Sequence, residues 1–216
     1  MRTTRKLIES PTTSEVVTKK LQMCGSKTKS GHWFWCRFPG CDRCRSYRAR
    51  NVADSISQWA CTETSYTLRK IKVDIRRCTD ADDLINEIKS TRLTIRRAFD
   101  RRQRENDRWL SIRCIGYFSP VFRKEMWSAS MNGVICLGRI HEVNLLDTLE
   151  PLVNVQLHPF QNCVLPNDIG TFINWSVHNT SGMKECDSYT LSSFYNSLNR
   201  VGGYKRLVFR RGLQSP

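Results

Sequence analysis

Along Trp127-Ser128-Ala129-Ser130-Met131-Asn132-Gly133-Val134-Ile135 the side chains change chemistry at almost every step. Trp127, Ala129, Met131 and Ile135 fall on one side, and Ser128, Ser130 and Asn132 on the other. That is a period of two, which a β-strand sorts onto two faces. A chain carrying this segment has to build a sheet with one packed face and one polar row.

The remaining patterns say what surrounds that sheet. Strands are expected at Tyr66–Ile75, Trp109–Phe118, Trp127–Ile140 and Leu152–Leu157, with a closing strand at Tyr204–Arg210 and a loop containing Ser119 and Pro120. From Asp80 a long helix is predicted. Asp80 can cap it, Asp82 and Asp83 suit its positive end, and Leu84, Ile88, Thr91, Ile95 and Ala98 line one face. Residues 168–179 and 188–200 read as helices, as does Ser46–Cys61, where Val52, Ile56 and Trp59 recur at helical spacing. A short helix fits Ser14–Met23 within residues 1–31, which are otherwise read as a basic flexible arm. The order predicts an α+β fold: an antiparallel sheet with flanking helices, preceded by a small cysteine-rich knuckle. The division expected is 1–31 arm, 32–61 knuckle with an Arg-rich helix, and 62–216 main domain.

Charge narrows the class of partner. The 35 Lys and Arg against 20 Asp and Glu leave +15 on 216 residues. Such a field recruits polyanions, with nucleic acid foremost. The apolar runs are short and no signal segment opens the chain, so no membrane partner and a cytoplasmic location are expected. The ten cysteines then read as reduced. Cys61, Cys78, Cys114, Cys136, Cys163 and Cys186 are scattered and suit buried packing.

The clustered cysteines have another use. His32, Cys36, Cys41 and Cys44 give H-x3-C-x4-C-x2-C, and Cys24 lies upstream as a rival for the fourth place. Two thiolates on a C-x2-C turn share one ion with little strain, so structural zinc is expected at Cys36, Cys41, Cys44 and either His32 or Cys24. Around them stand Arg37, Arg43, Arg45, Arg48 and Arg50, with Trp33, Phe34 and Trp35. Guanidinium groups neutralise phosphates and aromatic faces stack on unpaired bases. A second basic row, Arg97, Arg101, Arg104 and Arg108, falls on one side of the long helix and could track a phosphate backbone.

The Trp127–Ile135 strand resembles the metal-binding strand of rolling-circle replication initiators, the HUH endonuclease family, whose pattern reads roughly Trp-His-x-His-hydrophobic-His-Gly-hydrophobic-hydrophobic. Trp127, Met131, Gly133, Val134 and Ile135 keep the framework, while Ser128, Ser130 and Asn132 stand where the family has imidazoles. The resemblance extends over roughly residues 32–212: a cysteine knuckle with an Arg-rich helix at Cys36–Arg50, a strand at Tyr66-Thr67-Leu68, the long helix, Ile112–Phe118, the Trp127 strand, Val153–Phe160 and a helix from Thr171. In that last helix the family places a nucleophilic tyrosine, and the matching residue here is Phe172.

The resemblance implies an HUH/RRM-like α+β domain. It implies single-stranded or hairpin origin DNA as partner, and replication or its regulation on a plasmid, phage or other mobile element of a bacterial or archaeal host. Host replication proteins are possible further partners. The replacements imply loss of nicking. Phe172 has no hydroxyl to attack a phosphodiester, and hydroxyls and an amide hold a divalent ion poorly, so no catalytic divalent metal is expected. Two alternatives stay open. One is an active initiator with a rearranged site using Tyr189, Tyr195 or Tyr204 as nucleophile and His141, Glu142, His158 or His178 as ligands. The other is a zinc-containing RNA-binding or protein-interaction module.

Overall fold

The computed structural model describes residues 2–48, 50, 51, 54, 68–160, 172, 183 and 186–212. In chain order these form α1 (Arg2–Glu9), α2 (Glu15–Met23), α3 (residues 42–48), β1 (Leu68–Asp74), α4 (Ala81–Glu105), β2 (Arg113–Arg123), β3 (Met126–Cys136), α5 (Glu142–Leu149), β4 (Asn154–Pro159), α6 (Ser188–Arg200) and β5 (Val208–Arg211). The strands make one sheet in the order β4-β1-β3-β2-β5, antiparallel at every pairing. This is the α+β architecture expected from the sequence.

The period-two strand sits where its pattern requires. β3 is central, and its buried positions Trp127, Ala129, Met131 and Ile135 face the helices. Their partners come from α4, where Leu84, Ile88, Ile95, Ala98 and Phe99 are buried, and from α6, whose Phe194 stacks on Trp127 at 4.9 Å between ring centroids. Asp80 caps α4 as predicted, accepting the Asp83 amide at 2.7 Å. Gly116 and Gly133 face each other across β2 and β3. A methyl on Gly133 would lie 2.2 Å from the Ile115 carbonyl oxygen, so this close crossing admits only hydrogen.

Several expectations are corrected. Ser119 and Pro120 are not in a loop: β2 runs on to Arg123, and the turn is Lys124-Glu125, both at positive φ. Pro120 is buried within the hairpin and paired with Ala129, so strand pairing outweighed its turn preference. Trp109 lies in a 3₁₀ turn, Asp107–Ser111, ahead of β2, and the start of the expected closing strand is a second such turn, Gly203–Leu207.

Residues 1–31 were expected to be a flexible arm, whereas α1 docks on α6 and α2 packs against α1. Leu7 is fully buried, Thr13 and Ser192 hydroxyls share a hydrogen bond of 2.9 Å, and Lys6 donates to the Cys186 carbonyl at 2.6 Å. Ser14 caps α2, its side chain accepting from the Val17 amide. The helix expected over Ser46–Cys61 starts earlier, at residue 42, and its later part lies outside the described residues, as does most of the 168–179 segment. Cys78, Cys114, Cys136 and Cys186 are buried and not joined in disulfides, in line with packing roles. Burial pushes the Cys114 thiol up to about 12.

Candidate metal centre and nucleic-acid interface

The cysteine cluster is assembled by three local structures. α2 ends at Cys24, its C-cap, and Gly25 turns the chain at φ 79°. A short hairpin follows: the Gly25 amide donates to the Phe34 carbonyl at 2.8 Å and the Phe34 amide to Ser26 at 2.9 Å, which carries Cys36 back beside Cys24. Cys41 then precedes α3 and Cys44 lies in its first turn. One sulfur from each of Cys24, Cys36, Cys41 and Cys44 lies within 4.8 Å of all the others.

The separations fit one ion. The Cys24–Cys44 and Cys36–Cys44 sulfurs are 3.4 Å and 3.6 Å apart, and a tetrahedral site with metal–sulfur bonds of 2.3 Å needs about 3.8 Å. Four closely spaced cysteines can therefore bind a metal. Hydrogen bonds from Cys36, then Cys44, hold the Cys41 thiol down to about 2, and the bonds with Cys41 and Cys44 push Cys36 far up. Cys44 is drawn down by Cys36 but driven further up by Cys41 and by burial, to about 12.

The choice between His32 and Cys24 falls to Cys24. His32 is exposed at the tip of the hairpin, where its carbonyl accepts from the Thr28 amide at 2.7 Å, and it is not in the gathered set. The x3 spacing drew attention to His32, but the hairpin carries it away from the sulfurs.

The arginines around the cluster divide by task. Arg45 is buried and pairs with buried Asp42, so it is not a phosphate ligand. Arg43 donates to the Cys24 carbonyl and braces the turn beneath the cluster. Arg48 reaches the Pro39 carbonyl at 3.5 Å yet also lines the neighbouring cleft, while Arg37 and Arg50 are exposed. On α4, Arg97, Arg101 and Arg104 are exposed. Arg108 is corrected: α4 stops at Glu105 with Asn106 as its cap, so Arg108 lies in the following 3₁₀ turn and does not extend the row.

Beside the metal centre a cleft of about 780 Å³ opens between the knuckle and the end of α6. Trp33, Trp35, Tyr47, Arg37, Arg48 and Lys205 are among its walls. Trp35 and Tyr47 are stacked, with centroids 4.7 Å apart and planes 21° from parallel. Trp33 is 58% exposed and Tyr47 48%, large values for rings this apolar, and Lys27 stands over the Trp33 ring at 5.7 Å. Exposed aromatic faces among cations are the surface on which unpaired bases stack and phosphates are neutralised. Sequence reading missed Tyr47, although an aromatic three residues after Cys44 was visible. Lys205 carried no signal, since only folding brings it to the knuckle.

The polar row of β3 lies on the sheet face away from α4. Ser130 donates to the Asp74 carboxylate at 2.6 Å, Lys72 pairs with the same group at 3.0 Å, and the Asn132 amide reaches the Ser130 carbonyl at 3.5 Å. Register places Lys72 opposite Asn132, Asp74 opposite Ser130, and Val121 opposite Ser128. Phe172 belongs to the same face: Lys70, next in that row of β1, lies 5.5 Å from its ring centroid and 5.1 Å from that of Phe160. Among the described residues Asp74 is the one carboxylate on this face of the sheet, and a lysine occupies it.

The residues considered for a relocated reaction are scattered. Tyr195 is buried with its hydroxyl toward the Met183 sulfur at 3.8 Å, and burial raises its pKa. Tyr189 is exposed on α6. His158 is exposed on β4, His141 precedes α5, and Glu142 is paired with Arg69 at 2.6 Å. His178 lies outside the described residues, and no helix among those described is long and apolar enough to cross a membrane. Comparison with protein-family models, with curated proteins and with solved structures finds no match to this chain.

Proposed function

We propose that this protein binds single-stranded or hairpin DNA. In this reading it derives from a rolling-circle replication initiator, acts in replication or its regulation on a mobile element, and does not nick. The observation that carries the proposal is the cleft, where Trp33 and the Trp35–Tyr47 stack offer π-faces and Arg37, Arg48 and Lys205 offer charge. The net charge of +15 supplies the long-range attraction. Zinc is the ion proposed for the four thiolates, because a closed set of soft ligands suits a structural site and leaves no position for substrate. It would hold Cys24 against α3 and so fix the aromatic wall.

The absence of nicking rests on chemistry at the polar row. Ser128, Ser130 and Asn132 are neutral, Lys72 neutralises Asp74 and would repel a divalent cation, and Phe172 has no oxygen nucleophile. Equilibrium titration of a fluorescent single-stranded oligonucleotide tests the binding. Affinity should fall steeply with salt, and Trp33→Ala or Tyr47→Ala should each cost about 1–3 kcal/mol. Affinity unchanged by salt and by both variants would remove the proposal, as would a tighter complex with RNA in direct competition. A covalent adduct with DNA in Mg²⁺ or Mn²⁺ would overturn the non-nicking part alone.

A further inference from the structure

A second groove, of about 180 Å³, runs between α4 and the β5 edge of the sheet. Among the described residues Lys89, Arg92, Leu93, Arg96, Phe209 and Arg210 line it: four cations, two apolar side chains and no carboxylate. Lys89, Arg92 and Arg96 fall at i, i+3 and i+7 of α4, on one side of the helix. Asp100 lies 3.9 Å from Arg96 and is engaged more closely by Arg211 at 2.7 Å. Arg211 also donates to Gln103 at 2.6 Å and lies over the Phe99 ring at 5.0 Å. These contacts tie β5 to α4, so the groove walls are held in place before any ligand arrives.

The groove differs from the cleft in what it can read. Phe209 is buried as its floor and Leu93 is aliphatic, so among the described residues no exposed aromatic face is offered to a base there. Cations without stacking surfaces recognise phosphates alone, which suits a strand whose bases are turned inward and paired. The two sites are also neighbours along the chain: Lys205 lines the cleft and Arg210 the groove. Five residues reach at most about 18 Å, about five steps of 3.4 Å along one DNA strand.

We infer that the α4–β5 groove holds the backbone of the duplex part of a single-strand/duplex junction whose unpaired part lies in the cleft. This rests on the DNA-binding reading and names its ligand more narrowly.

The test uses the full chain and three fluorescent DNAs: a hairpin with a single-stranded tail, made with either polarity, the tail alone, and the blunt hairpin. The tailed hairpin of one polarity should bind at least about tenfold tighter than the tail, a gain that a few added phosphate contacts supply. The double variant Lys89→Gln/Arg96→Gln should bring those two affinities together while leaving the tail's own affinity unchanged. It should also flatten the salt slope of the tailed hairpin by about 2, one for each lost phosphate contact. Trp33→Ala should weaken tail and tailed hairpin alike.

Equal affinity of the wild-type protein for tail and tailed hairpin would overturn the junction, as would a double variant that weakens both equally or neither. In those cases binding of the tail leaves the DNA-binding reading intact. Failure to bind any of the three DNAs would remove both. Unchanged circular dichroism of the variant, whose substituted residues are both exposed, separates lost contacts from lost folding.

Discussion

Cys24 is the residue on which the candidate metal centre turns, because its sulfur lies within 3.4 Å of that of Cys44 while His32 is exposed on the hairpin after α2. Cys24→Ser should therefore abolish stoichiometric metal, and His32→Ala should keep it. Atomic absorption on the purified variants reads the difference, and the reverse result would return His32 to the site. At the same scale Gly40 explains how the knuckle is seated. A methyl there would lie 2.6 Å from Leu7 and 2.9 Å from Tyr195, so the loop between Cys36 and Cys41 presses directly on α1 and α6. Phe38 adds a tilted ring contact with Tyr195 at 6.2 Å.

The elements show where local preference and global packing agree and where they conflict. α4 is consistent at both levels: an Asp cap, acidic residues at its positive end, and a buried stripe against β3. The β2–β3 hairpin is not. Its two turn residues, Lys124 and Glu125, hold φ of 49° and 58°, a conformation that costs ordinary L-residues about 1–2 kcal/mol each and that Asn-Gly adopts readily. The turn is retained because the eleven paired positions on either side fix the register. Lys124→Asn with Glu125→Gly should raise stability by about 1 kcal/mol, visible as a higher midpoint in urea with an unchanged slope. A lower midpoint would mean that the native pair makes contacts outweighing its backbone strain.

Across the whole molecule the cysteine cluster gathers sulfurs from more than one segment. Cys24 comes from the end of α2, and the other three cysteines from the loop and helix docked on α6. Without metal, the hydrogen bonds with Cys41 and burial favour the protonated thiols of Cys36 and Cys44, whereas the bonds from Cys36 and Cys44 hold Cys41 below the ordinary thiol range. Metal uptake must expel at least the protons of the first two, since only thiolates coordinate. Acid therefore opposes binding: apparent affinity should fall at least about 100-fold per unit of pH lowered near neutrality, the slope for two protons or more. Chelator competition between about pH 6 and 8 measures it, and a slope near zero would show that the protons have already left. Chelation should also lower the melting temperature, because binding to the folded state alone stabilises it.

The sequence by itself determined the antiparallel α+β class, the cap and buried stripe of α4, the strand with its polar row, the cysteines and the positive charge. Each of these is written in local spacing, which backbone geometry converts directly into faces. The tertiary structure decided the rest. It replaced His32 by Cys24, buried Arg45 against Asp42, ended α4 before Arg108, folded the supposed arm onto α6, and brought Tyr47 and Lys205 to one cleft. All are outcomes of contacts between residues far apart in the chain or of turns that redirect it. Spacing records which residues share a face of one element, but which faces meet is set by the packing of the whole core.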